Sequence, residues 1–289
     1  EKLRRAAEAL LREDFSERLR DELSKGLSFA AARECAARAL IGEDAGVLAE
    51  PNDILGVEYC KALLQSDSTI TPLAMERRAV GHNEGAAEGF ASASYIRALL
   101  AGGEDASAFL TAESAAIYAR ECAAGRAPVT MKGAERAMLS RLRMLEEADF
   151  ARYDSGGEGL YRRFYAAVRT AASVDELLGT VKTKRYAYAR LRRMLLAAYL
   201  DIAAAELPQE IPYLRVLACN ERGRMLLRAI KNEGSTPVLT KSADVRSLSE
   251  EAQRLFALSA RACDQYVLAY PELRAAKGGG AWTQGPVIV

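Results

Sequence analysis

The sequence predicts a mostly helical protein, in which the trailing half of an α/β domain is followed by a helical domain with a few short strands. Apolar residues recur at three- and four-residue spacing, the period of an amphipathic helix, through most of the chain. Before about residue 105, one β-branched run, Thr69–Leu73, interrupts the helical patterns and predicts a strand. We therefore divide the chain into a C-terminal portion of an α/β domain, 1–104, and a mainly helical domain, 105–289.

The first domain begins with three predicted helices. An apolar stripe gives the first, and Ser28 is expected to cap the second, which ends at Gly42. Asn52 is expected to cap the third helix. The predicted buried side of that helix consists of Ile54, Leu55, Val57, Leu63 and Leu64. A polar loop over 81–89 then leads to a short helix closed by Gly102.

The second domain is predicted to be helical along most of its length. The expected helices are Ala112–Ala124, Gly133–Ala148, Gly159–Ala171, Thr183–Ala205 and Ser247–Tyr270. Tyr213–Ala218 has strand composition, and Pro237–Thr240 is expected to be extended. A turn is predicted at Glu221–Gly223, ahead of a helix over 225–231. The tail from Lys277 begins with three consecutive glycines and is expected to be irregular.

Composition and charge exclude several classes of protein. The net charge of the 289 residues is +1, so bulk electrostatics does not indicate nucleic-acid binding. The sequence contains no apolar run of about 18 residues, so no membrane span is predicted. Five scattered cysteines without a CxxC pair, and a single histidine, argue against a metal site and for reduced thiols in the cytoplasm. The chain enters a helical pattern at Glu1 and its first methionine is Met75, so we expect an upstream segment to be missing.

Two segments of the first domain have residues suited to phosphate. Ser92, Ser94 and Arg97 open a helix, where backbone N–H groups, hydroxyls and a guanidinium can meet an anion. A capping serine with a solvated arginine is the simpler interpretation. The adjacent Arg77-Arg78 pair can grip a polyphosphate or be plain surface charge. His82 lies in a loop without an identified partner, and exposure is a better interpretation than catalysis.

A basic cluster between residues 181 and 193 is the strongest physical signal. Its cations are Lys182, Lys184, Arg185, Arg190, Arg192 and Arg193, and Tyr186 and Tyr188 interleave with them. One continuous helix would place Lys182, Tyr186 and Arg193 on the same face. Cations beside stackable aromatic rings suit an RNA backbone with unpaired bases. The alternative is a solvated amphipathic face.

Five segments in chain order resemble a known family. They are PNDILGVEYCKAL from Pro51, Arg77-Arg78 with GHNEG and ASASYIR, EGLYRRF from Glu158, KTKRYAYARLRRML from Lys182, and YLRVLACNERGRMLL from Tyr213. The ordered succession is similar to that of the tRNA(Met) cytidine acetate ligases, which are related to nucleotidyltransferases with a His-x-Gly-His signature. The resemblance runs from about residue 25 to 245.

The resemblance implies an enzyme that activates acetate with ATP to acetyl-adenylate and acetylates N4 of the wobble cytidine of elongator tRNA(Met). A Rossmann-like α/β domain would bind ATP, accompanied by Mg²⁺, and the helical domain would hold the tRNA, with no role for DNA or a membrane. The implied ATP-contacting positions are Asn52, Asp53, Arg77, Arg78, Ser92, Ser94 and Arg97. Because Asp53 departs from the second asparagine of the family pattern, the adenosine contact can belong to either neighbour. The implied tRNA-contacting positions are Lys182, Lys184, Arg185, Tyr186, Tyr188, Arg190 and Arg193.

The sequence departs from the family in one respect that affects activity. A chain with one histidine contains no His-x-Gly-His motif, so we expect it to be inactive alone. Two alternatives stay open: a non-catalytic RNA-binding helical module, and a nucleotidyltransferase with another acceptor. The long appendage with its basic, tyrosine-containing cluster argues against the second.

Overall fold

The computed structural model describes residues 1–75, 85–87, 89–154, 159–184 and 186–289. The chain divides into two compact units, Glu1–Ala98 and Leu99–Val289. Helices dominate both units and the few strands are short, which confirms the predicted mostly helical architecture. No helix in these ranges is long and apolar enough to cross a membrane.

The first unit packs four helices around an alanine-rich core. The helices are α1 (Lys2–Leu10), α2 (Phe15–Ser24), α3 (Phe29–Ile41) and α4 (Pro51–Gln65), with a 3-10 helix over Gly42–Leu48. Ala6, Ala37 and Val57 are fully buried where α1, α3 and α4 meet. Small side chains let helix backbones approach closely, so this core is compact without large residues.

Local capping rules predict α3 correctly and α4 in part. The Ser28 hydroxyl accepts a hydrogen bond from the Ala31 N–H at 3.4 Å, and Gly42 ends α3, as predicted. The expected cap at Asn52 is wrong, because Pro51 occupies the first helical position, which its fixed φ favours. Asn52 therefore lies inside the first turn. Leu55, predicted to be buried, is 53% exposed.

The segment that follows α4 differs from the prediction. Thr69–Leu73 has no regular structure, so the predicted strand is wrong. Pro72 cannot donate to a strand ladder, and none of the described strands lies beside this segment. A short antiparallel hairpin of β1 (Ala86–Ala87) and β2 (Phe90–Ala91) leads instead into α5 (Ala93–Gly102).

The second unit contains the larger core. Its helices are α6 (Ala112–Ala123), α7 (Glu135–Arg143), α8 (Glu147–Ala151), α9 (Leu160–Thr170), α10 (Val174–Val181), α11 (Tyr188–Leu200), α12 (Glu221–Glu233), α13 (Glu250–Tyr266) and α14 (Gly280–Thr283). Phe150 and Phe164 are fully buried with ring centroids 6.4 Å apart, and Leu191 packs in the same cluster. This core fixes α7 to α11 as one assembly.

Three predicted helices of this unit have different bounds. The helix expected over Gly133–Ala148 is two helices, because Glu146 caps α8 and its N–H donates to the Asp149 carboxylate at 2.9 Å. The one expected over Thr183–Ala205 begins only at Tyr188, and the backbone is extended at Lys182 and at Ala187 before it. The last one ends at Tyr266 and continues as a 3-10 helix.

The C-terminal segments form two small parallel pairs. β3 (Leu214–Arg215) pairs with β5 (Val238–Leu239), and β4 (Ala218–Cys219) pairs with β6 (Val287–Ile288). The expectation of an irregular tail is therefore wrong. The predicted turn at Glu221–Gly223 is also wrong, because the Asn220 side chain caps α12 by accepting from the Gly223 N–H at 2.9 Å.

Candidate nucleotide and RNA sites

Ser92 holds the entry to α5. Its side chain is buried at 2% exposure, and its hydroxyl accepts a hydrogen bond from the Tyr95 N–H at 3.1 Å. Its own N–H donates to the Gly85 carbonyl at 3.2 Å, which ties the cap to the hairpin. The simpler interpretation of a capping serine therefore describes Ser92, whose hydroxyl is engaged within the protein.

Ser94 and Arg97 lie together on the exposed side of the same helix. The Arg97 guanidinium is 3.5 Å from the Ser94 hydroxyl. Both side chains are exposed in the first turns of α5, where the backbone N–H groups carry partial positive charge. A phosphate at this helix end would meet a hydroxyl, a guanidinium and the positive end of the helix dipole at once.

The other candidate ATP-contacting residues are placed less completely. Asn52 is exposed in the first turn of α4 and Asp53 beside it is partly buried. Both lie at a helix N-terminus, as Ser94 does. Arg77, Arg78 and His82 lie outside the described residues. In the described ranges, no group of three histidine, cysteine, aspartate or glutamate side chains forms a metal-binding cluster.

The basic cluster does not form one helical face. Lys182 follows α10 in an extended conformation, and α11 begins six residues later at Tyr188. Tyr186 lies between them with 4% of its surface exposed and belongs to the core of the second unit. The predicted shared face of Lys182, Tyr186 and Arg193 is therefore wrong. Arg185 lies outside the described residues.

Arg190 faces a carboxylate inside the protein. Its guanidinium is 3.2 Å from Asp154, whose side chain is 2% exposed, and lies 5.2 Å from the centroid of the Tyr186 ring. The second oxygen of Asp154 accepts a hydrogen bond from the Tyr161 N–H at 3.2 Å. A buried carboxylate needs such partners, because an uncompensated charge is costly in the interior. Tyr186 and Arg190 therefore make a structural contact beneath the cluster.

The outward part of the cluster lies on α11 and on the segment before it. We call Lys182, Lys184, Tyr188, Arg192 and Arg193 the outer basic face. The ring of Tyr188 is 46% exposed, with the Lys182 ammonium 5.5 Å and the Arg192 guanidinium 6.0 Å from its centroid. Within the described part of the chain, Lys184, Arg192 and Arg193 form no ion pair. These cations are free to meet an anionic partner.

Arg192 was not among the contact residues implied by sequence, although it belongs to the basic cluster. It lies four positions after Tyr188, the spacing that places two side chains together on a helix. This spacing from Tyr188 is the sequence feature that would have identified Arg192 as a contact residue. The helix α11 carries three arginines and no acidic residue, so the outer basic face is not neutralised by its own helix.

Comparison with known proteins agrees with the resemblance noted from sequence. The model of the family described as HIGH Nucleotidyl Transferase matches residues 1–279. The tRNA(Met) cytidine acetate ligase of Fervidobacterium nodosum is 33% identical over an alignment of 264 residues that covers 88% of this chain and 62% of that protein. That of Acetivibrio thermocellus is 30% identical over 296 residues, with 96% and 71% covered. The chain thus spans between about six and seven tenths of the length of these relatives.

A solved structure extends the likeness to three dimensions. Thermotoga maritima TmcAL bound with alpha-thio ATP superposes with a TM-score of 0.89 at 27% identity, covering 99% of this chain and 73% of that chain. Its apo form gives a TM-score of 0.92 at 26% identity, with 99% and 74% covered. From the family model and the two relatives together, the chain belongs to the HIGH nucleotidyl transferase family and, within it, to the tRNA(Met) cytidine acetate ligases.

Proposed function

We propose that this chain provides the helical tRNA-binding domain and part of the ATP site of an ATP-dependent tRNA(Met) cytidine acetate ligase. The observation that carries the proposal is the match of nearly the whole fold to a family member bound to an ATP analogue. Residues 1–104 would belong to a Rossmann-like nucleotide domain and residues 105–289 would hold elongator tRNA(Met).

The proposed reaction has two steps. In the first, a carboxylate oxygen of acetate attacks the α-phosphorus of ATP, the bond to the β-phosphate oxygen breaks, and pyrophosphate leaves. In the second, the N4 amine of the wobble cytidine attacks the acetyl carbon, loses a proton, and displaces AMP. Both steps move charge onto phosphate oxygens, so the protein contributes most by positioning the reactants and stabilising charge. Mg²⁺ would enter with the triphosphate.

The ATP-contacting part of the proposal rests on two helix ends. Ser94 and Arg97 offer a hydroxyl and a guanidinium that are 3.5 Å apart at the start of α5, and would bind the triphosphate. Ser92 would act through the backbone, by fixing the first turn whose N–H groups face the phosphate. Asn52 or Asp53 at the start of α4 would contact adenosine, and Arg77 and Arg78 would add phosphate contacts.

The proposed tRNA-contacting part is the outer basic face. Its free cations suit phosphates, and the exposed ring of Tyr188 suits an unpaired base. Tyr186 and Arg190, which the family resemblance placed among the contacts, would instead support α11 from inside. Arg192 joins the contacting set.

A substitution experiment tests the outer basic face. Replacing Lys184, Arg192 and Arg193 with alanine should weaken tRNA binding and lower the slope of log K against log salt by roughly 0.7–0.9 for each lost phosphate contact. Arg136→Ala, which removes an exposed arginine of α7, is the charge control and should leave the slope unchanged. The readout is fluorescence anisotropy of labelled tRNA between about 50 and 200 mM salt. An unchanged slope in the triple variant would remove this face from the interface.

We also propose that the chain does not form acetyl-adenylate by itself. The single histidine, His82, cannot make a His-x-Gly-His motif. That observation equally favours the second candidate, a non-catalytic RNA-binding module. ATP binding separates them: the ligase part should retain some ATP affinity that Arg97→Ala reduces, and the RNA module should have none. Acetate-dependent release of pyrophosphate from ATP by this 289-residue chain would contradict the proposed inactivity.

A further inference from the structure

The second unit contains an open cavity on the side of α11 away from Tyr188. Its volume is about 490 Å³, in the range of small-molecule sites. Most of its wall is carbon: Leu160 from α9, Met194 and Leu200 from α11, and Leu207 from the segment after α11. Leu207 is 39% exposed at the opening, so the cavity is accessible from outside.

One end of this cavity is polar and carries positive charge. Arg190 and Arg193 both line it, and they differ in what they contact. Arg190 neutralises Asp154, the acidic residue at the same end, at 3.2 Å. Arg193 forms no ion pair with any described carboxylate, and α11 has no acidic residue. Arg193 is therefore the cation at this end that no described carboxylate neutralises.

Another wall of the cavity is fixed in place. Tyr153 lines it, and the Tyr153 hydroxyl donates to Asp201 at 2.6 Å. Burial raises the pKa of Tyr153 to about 12, so the hydroxyl stays protonated and keeps donating at neutral pH. A cavity with fixed walls loses little entropy when a ligand binds.

We propose that this cavity binds one unpaired nucleotide of the RNA, with the base against the apolar wall and its phosphate on Arg193. A nucleotide combines a flat apolar ring with an anion a few ångströms away, which matches an apolar groove ending in one free guanidinium. Unpaired bases turned out of the strand are the usual target of single-stranded RNA recognition. The inference rests on the proposed RNA-binding function and adds a second base site.

The cavity and the ring of Tyr188 lie on opposite sides of one helix, and Arg193 of the outer basic face lines the cavity. At 100° per residue, Arg193, Ala197 and Leu200 share one side of α11, and Tyr188 and Arg192 share the other. A strand of RNA that meets both would pass over the N-terminal half of α11. Arg193 is the residue through which the two sites join.

Two neighbouring alanines allow a matched test. Ala204 and Ala205 are both exposed in the same 3-10 helix, and of the two Ala204 lines the cavity. Ala204→Trp would fill the cavity, and Ala205→Trp adds the same ring outside it. The probes are a single-stranded RNA of about ten nucleotides and an abasic strand of the same length and charge, both binding to the full chain and followed by anisotropy.

The wild type should prefer the base-containing strand by about a hundredfold, roughly tenfold for the base in the cavity and roughly tenfold for the base on Tyr188. Ala204→Trp should lose the roughly tenfold share of the cavity and keep its affinity for the abasic strand, and Ala205→Trp should behave as the wild type. Leu207→Ala, which removes part of the apolar wall, should lose about threefold of the preference. Melting curves confirm that each variant is folded.

Two results would overturn the inference, and a third concerns the proposed function. Equal binding of both strands by the wild type would mean that no base is bound, although the charged surface stands. A preference that neither Ala204→Trp nor Leu207→Ala reduces would place the base outside the cavity. Failure of the wild type to bind either strand would reject the RNA-binding proposal itself and the cavity's assignment with it.

Discussion

Arg190 and Arg193 lie three residues apart on α11 and have different surroundings. Arg190 faces the buried Asp154 at 3.2 Å, and Arg193 is exposed without an ion pair to a described residue. Equal charge and nearly equal sequence position therefore do not imply an equal role. The difference arises because residue 154, far away in sequence, supplies the carboxylate.

At this scale, we predict that Arg190→Ala lowers the free energy of unfolding by about 1–3 kcal/mol, because it removes a charge-assisted contact from the buried carboxylate of Asp154. Arg193→Ala should change it by less than about 0.5 kcal/mol, as is usual for exposed side chains. Urea denaturation followed by circular dichroism measures both. Equal destabilisation by the two substitutions would show that the Asp154 contact is not what Arg190 supplies.

Residue roles were predictable from sequence where they depend on near neighbours. Ser28 and Ser92 cap helices within their own turns, so their hydrogen bonds follow from the local pattern. The sequence predicts that Tyr186 stacks on RNA, but its ring is buried in the core of the second unit, two residues before α11 begins. Nothing local distinguishes it from Tyr188.

At the scale of elements, the loop before α7 packs closely against the 3-10 helix Val267–Ala269 that follows α13. A Cβ built on Gly133 would lie 2.5 Å from the Ala269 carbonyl oxygen. That distance is far below a van der Waals contact, and the obstacle is backbone. The glycine is therefore required for the two segments to pack.

We predict that Gly133→Ala lowers the free energy of unfolding by about 1–3 kcal/mol through overpacking. Gly179→Ala is the control: this glycine lies in α10 with open space around its Cβ position. It should be neutral or stabilising by about 0.5–1 kcal/mol, because alanine is the better helix former. Thermal denaturation of both variants measures the difference. Equal melting temperatures would contradict the close contact between Gly133 and Ala269.

Element boundaries were predictable where a cap marks them and not where distant residues pair. The β4 strand pairs with β6 across about seventy residues of sequence, so no local pattern predicts the pairing. The glycines before α14 instead favour an irregular C-terminal tail. The opposite error occurs at Thr69–Leu73, where strand composition predicts a strand that does not form. No described strand lies beside this segment to pair with it.

At the scale of the whole molecule, the mostly helical architecture and the family followed from sequence. Helical periodicity extends over most of the chain, and five ordered segments carried the resemblance that comparison with known proteins confirmed. The candidate ATP and tRNA sites could not be predicted to the same extent. Arg77, Arg78 and Arg185 lie outside the described residues, and side-chain direction divided the basic cluster in a way that spacing alone does not reveal.

This chain belongs to the tRNA(Met) cytidine acetate ligases, and we propose that it carries tRNA-recognition residues. The most direct test compares its binding to unmodified elongator tRNA(Met) and to an unrelated tRNA at two salt concentrations. We predict salt-sensitive binding that prefers the elongator, since a free cationic face supplies affinity and base contacts supply preference. Binding to neither tRNA at either salt would contradict the claim that the recognition surface lies in this chain.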